Sequence, residues 1–398
     1  DLFSHFATVP VGYNHPKLKE PAFLEEMQRA SLTKPANSDI YTEEMARFVD
    51  TFARVAVPGS HAAHLFFVEG GSVGVENALK AAFDWKVRKN FRKGYRREVG
   101  HQIVHFEQAF HGRTGYTLSL TNTADPRKTM YFPKFPWPRI VNPKLRFPVD
   151  EAEVERVKKV EALALAQVKQ ALVDNRDDLA ALIIEPIQAE GGDNHFRPEF
   201  LAALRQLCDE NEMLLIFDEV QTGIGLTGKM WGFQNFGVVP DLFSFGKKMQ
   251  VCGFASNQRI FDEPENVFTV SSRINSTWGG NLADMVRARR YLEIIEQESL
   301  VENARAVGEF LKEKLQELAL EFPGRMGNVR GRGLFLAFDL PDGATRGKVL
   351  ATWLQKHNVM GLASGESAIR LRPALTLTKD EALLGVQRLR ATLAEVLG

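Results

Sequence analysis

The chain has 398 residues, enough for one large domain and a smaller one. Its 50 Lys and Arg balance its 50 Asp and Glu, so the formal net charge is zero and a nucleic-acid-binding surface is not expected. Two cysteines cannot build a disulfide framework and fit a reducing, cytoplasmic setting, and no apolar run approaches the length of a membrane span.

In chain order, the opening phrase "DLFSHFATVPVGYNHPKL" has neither an initiator Met nor a basic leader, and a further segment is expected upstream. Helix-like spacing follows around 40–56. In "HLFFVEGGSVGVENALKAAFDWKVRK" a strand-like run, 64–68, meets a Gly-rich turn and then a helix. That helix puts Val75, Leu79, Ala82 and Phe83 on one face. "HQIVHFEQAFHG" reads as a strand and loop, and 151–173 as an amphipathic helix. The apolar runs at 179–186 and 213–220 both end in acids, with a helix over 198–211 between them. Such runs alternating with helices predict a mainly parallel sheet covered on both faces, with its chemistry in loops at the carboxyl ends of the strands. Glu185 and Asp218 fall at such ends. Beyond 285 a helical stretch over 281–318, a Gly-hinged strand in "VRGRGLFLAFDL", the phrase "ESAIRLRPALTLT" and a helix at 379–396 predict a smaller α/β lobe.

Three stretches carry candidate chemistry. In "EGGSVGVEN", backbone N–H groups and Ser72 are placed to hold a phosphate at a helix start, or Ser72 simply caps that helix. The stretch lacks the lysine and spacing of a nucleotide-binding P-loop. In "LLIFDEVQTGIGLTGK", Asp218 is either a structural strand end or a buried carboxylate that holds a proton on a heteroaromatic nitrogen, and Glu219 reads as structural. In "PDLFSFGKKMQVCG", Lys247 or Lys248 is a desolvated amine fit for a Schiff base, or both are solvated charges. The 29 residues from Asp218 to Lys247 leave room for a loop and one element between two strand ends. No histidine spacing suggests a metal site, and "RGRGLF" at 330–335 reads as a turn.

"FHGRTGYTLSLT", "IFDEVQTGIGLTG", "PDLFSFGKK" and "NSTWGGN", in that order, resemble the class III ω-aminotransferases, pyridoxal-phosphate enzymes of the aspartate-aminotransferase fold, fold type I. The resemblance runs over essentially the whole chain. It implies a large cofactor-binding domain over 39–284 with a mainly parallel seven-stranded sheet, and a small C-terminal α/β domain over 285–398. Residues 1–38 would contribute to the small domain and to closure of the site. Pyridoxal 5'-phosphate is the implied cofactor. Lys247 matches the lysine that carries it, Asp218 the partner of its ring nitrogen, Gln221 the contact to its 3'-oxygen, and Phe110 the ring that stacks on it. His111 would shape that wall and Gly71 and Ser72 would hold the phosphate. Thr277 would arrive from the partner subunit of a homodimer with composite active sites.

Within that family, "EPIQAEGGDNHFRPEF", "FGKKMQVCG" and "SSRINSTWGGN" resemble the lysine-specific members more than the acetylornithine, ornithine or 4-aminobutyrate ones. The acetylornithine-like pattern would have "SGTEA" where this chain has "EGGSVG". The resemblance implies transfer of the terminal amine of L-lysine to 2-oxoglutarate, giving glutamate and a 6-semialdehyde that cyclises. Arg113 would receive the α-carboxylate of lysine, a task that suits a planar guanidinium. Arg370 would receive 2-oxoglutarate, Glu190 would cover Arg370 when lysine is bound, and Asn275 would line the entrance. Strand alternation puts Arg372 on the same face as Arg370, so periodicity does not choose between them. The alternatives are an acetylornithine, ornithine or broad diamine aminotransferase, an aminomutase of the same fold, or a scaffold with a dead site.

Overall fold

The computed structural model describes residues 1–61 and 64–398. Seven strands, β1 (Leu65–Val68), β2 (Gln102–Phe106), β3 (Arg139–Ile140), β4 (Leu179–Ile184), β5 (Leu214–Asp218), β6 (Leu242–Phe245) and β7 (Cys252–Ser256), form one sheet in the order β1-β7-β6-β5-β4-β2-β3. Only β7 runs against the others. The sequence "LAALII" of β4 and "LLIFD" of β5 are buried along their whole length, as continuous apolar strands covered on both faces must be.

The helix Gly71–Arg92 packs on one face of this sheet. Val75, Leu79 and Ala82 are fully buried as their spacing predicts, while Phe83 is only partly buried. Ala78, Ala81 and Trp85 are buried too, so the helix is enclosed on more than one side. The helices Glu151–Asp174 and Pro198–Glu210 stand where the patterning puts them.

The smaller lobe holds a second, antiparallel sheet of β8 (Gly327–Arg332), β9 (Phe335–Asp339), β10 (Leu362–Ser364) and β11 (Ala368–Leu371), in the order β10-β11-β9-β8. Two expectations are corrected here. The stretch "VRGRGLFLAFDL" is a hairpin of two strands rather than one hinged strand, because Gly333 turns the chain at φ +53°. The stretch 281–318 is two helices, Leu282–Gln297 and Leu300–Glu321, broken at Ser299, whose φ of +51° is left-handed. The first residues pack on this lobe: Leu2 N donates to Met360 O at 3.0 Å, and Arg372 N donates to Leu2 O at 2.7 Å. Among the described residues no helix is long and apolar enough to cross a membrane, and no group of three or more His, Cys, Asp or Glu is arranged to hold a metal ion.

Candidate active site

Asp218 is the last residue of β5 and pairs in register with Ser244 of β6. Its Oδ1 accepts from Ser244 Oγ and from Val220 N, both at 3.1 Å. His111 Nδ1 lies 2.9 Å from Oδ2, and a proton on Nδ1 makes it the donor. Both side chains are buried, so little water competes for the carboxylate.

Lys247 lies two residues past the end of β6, with a φ of +49° that is uncommon outside glycine and marks stored backbone strain of order 1 kcal/mol. Burial pushes its amine below the ordinary lysine value, the Asp218 charge opposes that shift, and Arg370 adds to it. Lys248 faces elsewhere: it is buried and its Nζ donates to Gln221 O at 2.7 Å. Burial, reinforced by Lys247, holds the Lys248 amine well below its ordinary value. Neither lysine is a solvated strand-end charge, so that alternative is overturned. Lys248 fixes the main chain of the loop whose Gln221 side chain has a buried, unpartnered Oε1.

Phe110 is held by its own backbone. Its N–H donates to Glu185 Oε1 at 3.0 Å, and Glu185 Oε2 accepts from Ala189 N at 2.9 Å, so one carboxylate ties the loop after β2 to the turn after β4. Burial raises the Glu185 carboxyl to about 7, with His111 opposing and Asp218 adding to the shift. Glu219 is structural as expected: Thr222 Oγ1, Gly232 N and Phe233 N all donate to it.

Gly71 and Ser72 are the first two residues of the 22-residue helix Gly71–Arg92, which is preceded by Gly70 at φ +98° and has no side-chain cap. The Ser72 cap is therefore corrected: its hydroxyl points instead at Thr114 Oγ1, 2.7 Å away, and Thr117 Oγ1, 2.6 Å away. Gly112 permits this cluster, since its φ of +119° disfavours a side chain and a Cβ there would overlap Ser72 Oγ and Thr117 Oγ1. The first intrahelical bond is Gly74 N to Gly70 O, so the N–H groups of residues 71–73 have no helical acceptor. Free N–H groups at the positive end of a helix, beside a knot of hydroxyls, suit a phosphate. Together with the unpartnered His111 Nε2 and Gln221 Oε1, the buried Asp218 carboxylate and the Lys247 amine, these donors and acceptors fit pyridoxal 5'-phosphate.

Arg370 and Arg372 are buried arginines of the small lobe with different partners. Arg370 is buried in β11 and its Nη2 is paired with Glu190 Oε2, while its Nε and Nη1 have no partner. Arg372 lies past the end of that strand. It is paired with buried Asp193, donates to Leu371 O at 2.8 Å and Leu336 O at 3.3 Å, and sits 3.3 Å over the Phe335 ring. Burial lowers it to about 10, with Asp193 opposing. The packing gives the two arginines different surroundings: Arg370 faces Glu190, whereas Arg372 is held by Asp193, two carbonyls and the Phe335 ring.

Glu190 has a second partner that the sequence did not disclose, Lys128, whose Nζ is 2.5 Å from Oε1. Lys128 Nζ also lies 5.9 Å from the Phe110 ring centre, as does the Arg113 guanidinium. Arg113 is exposed and Asn275 and Thr277 sit in an exposed loop. Asn275 Oδ1 accepts from Ser276 N at 2.7 Å and Thr277 O accepts from Ser38 Oγ at 3.2 Å. Within one chain neither of these two loop residues hydrogen-bonds to the Lys247 group among the described residues.

The family model for aminotransferase class-III matches residues 1–393. The L-lysine-epsilon aminotransferase of Mycobacterium tuberculosis is 50% identical over 401 residues, covering 100% of this chain and 87% of that protein. The L-lysine-epsilon aminotransferase of Streptomyces clavuligerus is 48% identical over 398 residues, covering 100% of this chain and 86% of that protein. A solved structure of the M. tuberculosis lysine aminotransferase superposes with a TM-score of 0.96 and covers 100% of this chain and 90% of its own. With its Lys247 and Asp218 at neighbouring strand ends and matches of this extent, the chain belongs to the class-III aminotransferase family.

Proposed function

We propose that this protein transfers the ε-amino group of L-lysine to 2-oxoglutarate, giving L-glutamate and L-2-aminoadipate 6-semialdehyde, which cyclises to 1-piperideine-6-carboxylate. The observation that carries the proposal is the buried Arg370, covered by Glu190 yet holding two unpartnered nitrogens. A cation that a carboxylate can mask or unmask lets one pocket serve a substrate with no carboxylate near its reacting carbon and another that has one.

Pyridoxal 5'-phosphate, the cofactor the family implies, supplies when bound a carbonyl carbon that takes up the amine and a protonated ring that draws electrons from the substrate carbon. The N–H groups of Gly71 and Ser72 with the hydroxyls of Ser72 and Thr114 would hold its phosphate, and the Gln221 side chain its 3'-oxygen. Asp218 would keep a proton on the ring nitrogen, its carboxylate fixed by Ser244 and His111. Phe110 would cover a ring face and exclude water. The Lys247 amine, kept by burial below its ordinary value, is fit to remove a proton from the substrate carbon and to return it, with Nζ as the proton carrier. Arg113 would take the α-carboxylate of lysine at the outer end of the pocket.

A homodimer completes the site in this proposal, with Thr277 and Asn275 of each chain serving the other. The exposed Tyr41, Tyr131, Phe132 and Phe135 support an interface. We place the protein in the cytoplasm, where buried thiols such as Cys208 and Cys252 stay reduced. The test is a single half-reaction of the purified protein with L-lysine, L-ornithine, N-acetylornithine and 4-aminobutyrate, following cofactor absorbance and identifying the carbon product by mass. Fast conversion of lysine to the cyclised semialdehyde is expected. A preference for another amine overturns the substrate assignment.

A further inference from the structure

Glu190 lies between two cations. One oxygen meets Arg370 and the other meets Lys128 Nζ, which also approaches Thr123 Oγ1 at 3.3 Å. The Arg370 side chain is 1% exposed, that of Lys128 16% and that of Glu190 22%, so the charges sit at graded depth with Arg370 innermost. Arg370 and Lys128 outweigh the effect of burial on Glu190 and hold its carboxyl below the ordinary value, which keeps it ionised at neutral pH.

The Glu190 main chain is not free to follow its side chain. Its carbonyl accepts from Gly365 N at 3.0 Å, and the turn beyond it is tied by Gly192 N and Asp193 N to Ala189 O and by the pairing of Gln188 with Asn194. Uncovering Arg370 therefore falls to rotation of the side chain. A carboxylate that leaves a buried guanidinium needs another counter-charge, because an unpaired ion in a half-buried position is strongly penalised. Lys128 is already in contact with the oxygen that does not touch Arg370.

We propose that Lys128 is a positioning residue for the second half of the reaction: it retains the Glu190 carboxylate when a dicarboxylate 2-oxo acid takes the Arg370 guanidinium. Lys128 acts through Glu190, without itself contacting the oxo acid. The proposal rests on the assignment of Arg370 to 2-oxoglutarate made above. When Lys128 is lost, Arg370 is the one cation left in salt-bridge contact with Glu190 among the described residues, and the incoming carboxylate must displace Glu190 without the contact that would hold it aside.

The probe is glutarate, an unreactive dicarboxylate, titrated calorimetrically into the holoenzyme of the wild type and of Lys128→Met, Lys128→Arg, Glu190→Ala, Arg370→Ala and the Lys128→Met/Glu190→Ala double variant. Lys128→Met is expected to weaken glutarate by about 10-fold or more, the size of one lost charge-assisted hydrogen bond. Lys128→Arg should restore most of the affinity, and in the Glu190→Ala background Lys128→Met should have no effect. In half-reactions, KM for 2-oxoglutarate should rise more than KM for lysine. An equal loss with and without Glu190 would mean that Lys128 binds the dicarboxylate directly, and it overturns the proposal. So does an unchanged affinity in Lys128→Met while Arg370→Ala weakens binding, an outcome that leaves the Arg370 assignment standing. If Arg370→Ala has no effect on glutarate, both fall.

Discussion

Asp193→Ala separates the two small-lobe arginines by what each does for the fold. The Arg372 and Asp193 side chains are 0% and 1% exposed, so their ion pair is closed to water. Removing the carboxylate leaves the guanidinium with two carbonyls and the Phe335 ring, none of them a counter-charge, and it strips Ser364 Oγ of its acceptor. Breaking a buried pair from one side costs about 3–5 kcal/mol, and the hydroxyl adds about 1 kcal/mol. Glu190→Ala should be milder, about 1–2 kcal/mol, because its partly exposed carboxylate leaves a space that water can enter from the pocket to reach Arg370. The assay is urea unfolding of the holoenzyme at one protein concentration, with KM for 2-oxoglutarate measured alongside. Asp193→Ala should lower the unfolding midpoint well beyond Glu190→Ala. The double variant Asp193→Ala/Arg372→Met, in which no charge is left unpaired, should recover much of the loss. If Asp193→Ala is within about 1 kcal/mol of wild type and instead changes KM for 2-oxoglutarate, the assignment of Arg372 to the fold and Arg370 to the substrate is wrong.

Lys247→Ala should lower the lysine half-reaction by roughly 10²–10⁴-fold through loss of its proton carrier, with cofactor still retained by the phosphate contacts; an active variant would put the proton transfer elsewhere. Gly112→Ala should displace Ser72 and Thr117 and strain a backbone at φ +119°, costing about 1–3 kcal/mol, and the visible result should be loss of cofactor on gel filtration. Glu185 carries a pH signature. Its folded value, about 7, lies above its ordinary 4.5, so its stabilising contribution is full below 4.5 and is lost as pH rises through 7. Glu185→Gln cannot ionise, so its urea midpoint should fall less than that of wild type between pH 5 and 7.5; parallel profiles would refute the shift.

The large domain was legible because its signals are local. A strand buried on both faces must be continuously apolar, as β4 and β5 are, and the acid and the lysine that follow such runs stand at the carboxyl edge by construction. Where two tertiary neighbours decide the matter, the sequence was silent. Arg370 and Arg372 share a face by alternation, but the strand ends at Leu371 and the second arginine packs against Asp193 and Phe335. Lys128 sits in the polar phrase "TNTADPRKTM", which looks like any exposed loop, and its meaning comes only from Glu190, 62 residues away. Lys248 was hidden for the opposite reason: next to a reactive lysine it reads as a neighbour, whereas burial and the Gln221 carbonyl give it a separate structural task. The break at Ser299 was missed because both flanking segments are good helices and one left-handed residue carries no strong composition signal.

The charges of the pocket also explain why a carboxylate, rather than an apolar lid, covers Arg370. Burial lowers the Lys247 amine, the Asp218 charge opposes that shift and Arg370 lowers it further. An apolar cover would shut water away from Arg370 and leave its full positive field on the lysine that must carry a proton. In the proposed cycle Glu190, paired with Arg370, would cancel much of that field while lysine reacts, and the carboxylate of the 2-oxo acid would cancel it in the other half. Exchange of one carboxylate for another would thus change which substrate fits while leaving the electrostatic surroundings of the Lys247 Nζ nearly constant. Transamination needs that constancy, because the same amine must take up and release a proton in both directions at one pH.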